Sequence, residues 1–339
     1  MIMIDGSAGE GGGQILRTAL ALAVVTGKPF RMHSIRAGRR TPGLGNQHLA
    51  AVRAAATISQ AGLEGAGLGA GELTFRPGPV MPGQYHFSTG TAGSAMLVLQ
   101  AVLPPLLLAA EPSRLELEGG THNPWAPPFD FLRDAYAPLL SRAGVHLHLT
   151  LKRHGFFPAG GGQALADIQP GPVMKPLTVL WRGTIRRIGV TGLVGRLPRR
   201  IAVEETTVAA RELAGYGVDT DIREVDSVGP GNAIMVKIEC EEITEVFTAF
   251  GQRGVPARQV GAQVAGEVRQ YLDSGVPVGP YLADQLLLPL ALAGRGEFLT
   301  GEPSTHTRSN IAVITRFLHV IFDVRSDGPG RYRIACRPQ

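Results

Sequence analysis

Within the 339 residues of this chain one unit is written three times, and no other feature limits the possible fold so strongly. In each copy a turn rich in glycine or small residues leads into an apolar helix and a strand. A loop with polar side chains, a second helix and a closing strand or hairpin follow. The first copy has the turn GEGGGQ, a helix over 14–25, a strand over 30–35, the loop RAGRRTPGLG, a helix over 47–61 and a strand over 73–76. The second has TGTAGS, a helix to 110, a strand over 114–118, GGTHNPWAPP, a helix over 129–143 and a strand over 145–152. The third has VGPYLAD, a helix to 293, a strand over 297–300, GEPSTHTRSN, a helix over 311–318 and a pair of strands over 320–324 and 332–336. The copies agree in element order, not in residue identity. If they pack around a common core, their polar loops occupy corresponding places, and those loops carry Arg36, His122 and His306.

The stretch between the second and third copies breaks the pattern. It has strand-like runs over 185–191, 233–240 and 244–250, and helical spacing of Leu, Val and Ala over 201–214 and 257–273. The expectation is an α/β fold of the α+β type. A large three-repeat domain would span 1–180 and 277–339, and a small α/β domain would be inserted at 181–276.

Glycine supplies 45 residues, about twice the usual ~7% share, which implies many tight turns and close backbone approaches. Lys and Arg outnumber Asp and Glu by 33 to 28, and nearly all the positive charge is Arg. That balance suits an anionic partner without requiring one. The two cysteines, Cys240 and Cys336, have no metal-site or disulfide spacing and point to a reducing, cytoplasmic setting. The opening MIMIDGSAGEGGGQ lacks the basic and apolar segments of a secretory signal. The most apolar stretch, 96–110, is broken by Gln100 and Pro104-Pro105 and falls short of the ~20 residues that span a bilayer, so no membrane association is expected.

No GxxxxGK[ST] sequence occurs, which excludes an ordinary P-loop ATPase. GEGGGQILR instead sets a glycine run directly before a helix, where backbone N–H groups can meet phosphate. Glu10 would repel such a ligand unless a divalent cation bridged carboxylate and phosphates. Arg36, Arg39 and Arg40 crowd one Gly/Pro-rich loop, an arrangement suited to an anion or to a solvated turn. In the unmatched stretch, SVGPGNA lies between strand-like runs and reads as a plain turn, and Arg196, Arg199 and Arg200 read as a basic turn open to a polyanion. His33, His86, His146, His148 and His319 fall in strand-like contexts and read as structural. His306 lies among small hydroxyl residues before a helix and His122 lies in the matching loop, so both remain candidates for chemistry.

Together, GEGGGQILR, SIRAGRRTPGL, HGFFPAGGG (154–162), GPYLADQL and PSTHTRSNIAV resemble the RNA 3'-terminal phosphate cyclase family over essentially the whole chain. HGFFPAGGG is the most specific element. One residue beyond Gln163 the family usually has a branched apolar side chain, where this chain has Ala164. The resemblance implies three sheet-and-two-helix repeats, similar to the C-terminal domain of a bacterial translation initiation factor, with an inserted domain built on a thioredoxin-like sheet.

The resemblance also implies that His306 is a nucleophile that becomes adenylylated, and it places Asp where this chain has His122. ATP would be bound by Gln100, Tyr281, Leu282, Ala283, Asp284 and Gln285, with Pro127 and Phe131 near the adenine. Glu10 would lie near Mg²⁺ or Mn²⁺ and the triphosphate, while Arg17, Arg36, Arg39 and Gln47 would hold phosphates of ATP or of the RNA end. The partners implied are ATP and an RNA with a 3'-terminal phosphate. Three other readings share parts of this pattern: an inactive relative serving ribosome assembly, an enolpyruvyl transferase of similar repeats, and a simple RNA-binding module. The first should lack His306, and none of the three should release pyrophosphate from ATP.

Overall fold

The computed structural model describes residues 1–9, 11–171 and 173–339. The first unit runs β1 (Ile2–Asp5), α1 (Gly13–Thr26), β2 (Phe30–His33), α2 (Asn46–Ser59), β3 (Gly62–Glu64) and β4 (Leu73–Arg76). The second runs β5 (Gln84–Ser88), α3 (Ala95–Leu107), β6 (Ser113–Gly119), α4 (Phe129–Phe131), a π-helical turn (Leu132–Tyr136), α5 (Ala137–Arg142), β7 (His146–Arg153) and β8 (Gly162–Gln169). The third opens with β9 (Leu177–Val179). Between β9 and its next strand come β10 (Ile185–Gly195), α6 (Arg200–Glu212), β11 (Val218–Glu224), β12 (Gly231–Cys240), β13 (Thr244–Phe250) and α7 (Ala257–Ser274). The third unit then resumes with α8 (Pro280–Leu292), β14 (Gly296–Thr300), α9 (Thr305–Phe317), β15 (Val320–Ser326) and β16 (Tyr332–Pro338).

Three of the sheets share one strand order: β1-β2-β4-β3, β5-β6-β8-β7 and β9-β14-β16-β15. In each the first two strands are parallel and the last two form an antiparallel pair. A parallel pair needs a long crossover, and α1 and α3 supply it in the first two units. In the third the crossover also carries the fourth sheet, β11-β10-β12-β13, with α6 and α7 packed on each other. Lengthening such a connection costs little closure entropy.

Sequence pattern explains the layering. In β6, Ser113, Leu115 and Leu117 are buried while Arg114 and Glu116 are exposed, the period-two signature of a sheet with one dry face. α1 is buried almost all round, from Ile15 to Val24, and it packs against α2, α3 and α9 as the central rod of the helical layer. Gly27 ends it in the left-handed conformation. Phe30 stacks on Phe75 at 5.7 Å and meets Phe317 edge-on at 6.3 Å, tying the first unit to the third. Each such ring contributes about 1.5–3 kcal/mol by burial.

Several expectations need correction. Each unit begins with a strand that the repeat pattern did not include, namely β1, β5 and β9. The first unit closes on a hairpin rather than a single strand, and β8 and β11 were also unanticipated. The helix expected over 129–143 contains a π turn because Pro138 has no N–H for the i−4 carbonyl, so the ladder widens ahead of it. His319 sits in a bend before β15, not in a strand. The helix expected from 311 begins at Thr305, which brings His306 inside its first turn.

Candidate active site

The N-terminal turns of α1, α2, α8 and α9 border one pocket of about 700 Å³, reached by Gln14, His48, Tyr281 and His306. The positive ends of four helix dipoles therefore face a common space. Of the residues singled out from sequence, Arg17, Arg36, Arg39, Gln47, Gln100, Pro127, Phe131, Tyr281, Asp284, Gln285 and His306 line it. Leu282 and Ala283 do not; they are buried on the core side of α8. Glu10 lies outside the described residues.

His306 follows the N-cap Ser304, whose hydroxyl accepts the Thr307 N–H at 3.0 Å. Its ring Nδ1 lies 2.7 Å from Gln14 Oε1 on α1. An amide oxygen only accepts, so Nδ1 is the donor in this contact. The turn beneath His306 is fastened to α8. Ser304 and Thr307 both donate to the Asp284 carboxylate, and Asn310 donates to the Asp284 carbonyl at 3.2 Å. Asn310 in turn accepts from Thr18 on α1 at 2.7 Å. Burial raises the Asp284 pKa, while Thr307, His306 and Ser304 act in the opposite direction. Gly9 packs where a Cβ would fall 2.2 Å from Ser309 Oγ, and its φ of +58° is in the left-handed region, so the glycine turn closes tightly on α9.

Arg17, Arg36 and Arg39 line the same pocket. Arg36 holds a left-handed backbone, φ 53°, and donates to the Gly43 carbonyl at 2.8 Å. His48 is pushed down to about 3 by burial and then by Arg17 and Arg36, so it is neutral and its Nδ1 accepts the Gly45 N–H at 3.2 Å. The positive field here is made of arginines, which suits phosphate oxygens. Gln47 Oε1 accepts the Ser94 N–H at 2.7 Å and so joins α2 to the start of α3.

Among the described residues, the lining from α3, α8 and the fourth sheet includes no arginine. Tyr281 is half exposed, meets Phe247 edge-on at 6.5 Å, and donates to Glu267 on α7 at 3.2 Å. Burial and then Glu267 push its phenol up to about 12. Gln100 donates to Gln285, linking α3 to α8, and Pro127 and Phe131 complete this side. The fourth sheet and α7 add Val246, Thr248, Gln263 and Glu267.

His122 is fully buried, with Nε2 2.8 Å from Asp130 Oδ2 and Nδ1 2.9 Å from Thr121 Oγ1. Its ring stacks on His154 at 4.9 Å, in the HGFFPAGGG loop. Both nitrogens are engaged away from the pocket, so His122 secures the loop instead of offering a nucleophile. Asp130 is held down to about 2 against the effect of its own burial, chiefly by His122 and then Arg133.

Sequence reading missed Gln14, His48, Thr18, Asn310 and Glu267. Gln14 closes the glycine motif and Asn310 the THTRSN motif, so both were in view as letters, but their partners lie 292 residues away. Among the described residues no group of three or more His, Cys, Asp or Glu side chains is placed to hold a metal ion. Among the described residues no helix is long and apolar enough to cross a membrane.

A sequence model described as RNA 3'-terminal phosphate cyclase matches residues 8–324. The RNA 3'-terminal phosphate cyclase of Koribacter versatilis (strain Ellin345) is 50% identical over 328 residues, covering 96% of this chain and 92% of that protein. The chain belongs to the RNA 3'-terminal phosphate cyclase family.

Proposed function

We propose that this protein is an ATP-dependent, ligase-type cyclase that converts an RNA 3'-phosphate into a 2',3'-cyclic phosphate through an adenylyl group carried on His306. The reading rests above all on the His306 ring, oriented by Gln14 at 2.7 Å in a pocket that Arg17, Arg36 and Arg39 also line.

A terminal phosphomonoester has no leaving group that a 2'-hydroxyl can displace, so it must first be activated. His306 Nε2 attacks the α-phosphorus of ATP, a P–N bond forms, and the bond to the β-phosphate breaks with release of pyrophosphate. Gln14 keeps the proton on Nδ1 while Nε2 reacts, and the arginines offset the charge of the departing phosphates. An oxygen of the RNA 3'-phosphate then attacks the same phosphorus, the P–N bond breaks, and His306 is regenerated beside an RNA-ppA anhydride. Finally the neighbouring 2'-OH attacks the 3'-phosphorus, loses its proton, and expels AMP. A well-oriented intramolecular closure reaches effective molarities of about 10⁵ M or more, so positioning is the main demand of this step. Mg²⁺ or Mn²⁺, when bound, would further neutralise the triphosphate.

The adenine has a place between Tyr281 and the Pro127–Phe131 side, with the triphosphate directed toward His306. The test is stoichiometric: a 3'-phosphate RNA incubated with ATP and protein should yield one cyclic end, one AMP and one pyrophosphate per turnover. RNA bound without pyrophosphate release would leave the inactive-relative and RNA-binding-module readings and defeat this one.

A further inference from the structure

Trp125 stands at the mouth of the pocket, 93% exposed, with a backbone φ of 60°. A bulky residue in the left-handed region carries strain, and an indole in water forgoes burial. Both costs fall on one residue, and the core makes no use of its ring. Its loop is nonetheless rigidly held. The backbone N–H groups of Thr121 and His122 donate to the Gly155 carbonyl, and Asn123 donates to the Ala92 carbonyl at 2.6 Å.

The loop to which it is fastened presents a second bare ring, Phe157, 64% exposed. Two arginines flank that loop with their guanidinium groups anchored on backbone. Arg153 Nε donates to Gly161 O and Arg196 Nε to Ser227 O, each at 2.7 Å, and Ser227 pairs with His154. Exposed aromatic rings carried on anchored loops with cationic side chains form the combination that holds single-stranded nucleic acid, with bases on rings and backbone along the charges.

We infer that this loop pair is the docking surface for the single-stranded RNA segment that ends in the pocket, with Trp125 stacking the terminal base and Phe157 a base upstream. The inference builds on the cyclase reading and deepens it, because that reading places only the terminal phosphate. Duplex RNA would keep its bases stacked internally and could not use the rings.

The chain has two tryptophans, so a Trp181→Phe variant leaves Trp125 as the sole indole reporter. Its fluorescence should be quenched saturably by a short single-stranded RNA with a 3'-phosphate. Quenching should be lost when the terminal nucleoside is abasic or the end is held in a blunt duplex, and ATP alone should not produce it. Trp125→Ala should raise KM for RNA of the order of tenfold with a smaller effect on kcat, and Trp125→Phe should recover most of the loss. Quenching by ATP alone, or equal affinity for abasic and intact ends, would overturn the inference. Because fluorescence needs no turnover, a quenching signal without cyclisation would retain the docking surface and defeat the cyclase reading instead.

Discussion

Gln14 and His306 are separated by 292 residues and joined by 2.7 Å. That contact makes Nδ1 the donor and, in the proposed mechanism, assigns the chemistry to Nε2. Gln14→Ala should therefore slow self-adenylylation by up to about 100-fold through misorientation. Gln14→Glu, which keeps an acceptor at the same reach, should recover much of the rate; single-turnover labelling with ATP measures both. An equal loss in both variants would show that the side chain is needed for something other than accepting from Nδ1. The histidine's setting among small hydroxyl residues made it one of two candidates with His122, and the family resemblance favoured it. Its orienting partner could not be singled out, because a glutamine at the head of an apolar helix looks like any solvated first-turn residue until the fold brings α9 across it. The same holds for His48, whose neutrality follows from burial beside Arg17 and Arg36, neither visible in local pattern.

At the scale of elements, the starts of α1, α2, α6 and α7 were read to within one residue, but the first turns of α9 were missed. The apolar run beginning at Ile311 marks where α9 becomes amphipathic, but the helix starts at Thr305, and its polar opening turns face the site. Apolar periodicity reports the core-facing part of a helix and is silent where a helix end is committed to function.

The start of α8 shows a related device. The Gly279 N–H donates to Glu245 Oε1 at 2.6 Å, a carboxyl fully buried on β13 and pushed up to about 8 by that burial. The unfolded chain releases this proton near pH 4.5, while the folded protein keeps it until about pH 8. Stability from this group is therefore present below pH 4.5 and is lost progressively up to pH 8, by about 1.4 kcal/mol per pH unit at the steepest. Glu245→Gln should lack that slope, so its thermal midpoint should gain on the wild type between pH 5 and 8. Parallel profiles would contradict the assignment.

In the HGFFPAGGG loop, Gly160 has a φ of +68°, and a Cβ there would lie 2.7 Å from Ala92 Cα. Gly160→Ala should destabilise the protein by about 2–3 kcal/mol in denaturant unfolding.

For the molecule as a whole, the threefold recurrence of elements was legible, and so was the mixed α/β class. The leading strand of each unit was not. β1, β5 and β9 are short, and only three of their twelve residues are buried, so their alternation was too brief to stand out from a turn. The resulting assembly puts four helix starts around one pocket, a property no single unit possesses. An intact site should treat the sugar of the substrate in two stages. A 2'-deoxy end with a 3'-phosphate should accept AMP and stop there, while the ribose end should proceed to the cyclic phosphate, as separation of labelled products would show.

The central claim is that His306 carries the adenylyl group. Incubation of the protein with α-labelled ATP and Mg²⁺ or Mn²⁺, followed by denaturation, tests it directly. Label that survives alkali and is released by acid, present on the wild type and absent from a folded His306→Ala variant, is the predicted result. A folded wild type that cyclises RNA without ever acquiring such label, or a His306→Ala variant that acquires it equally, would contradict the account.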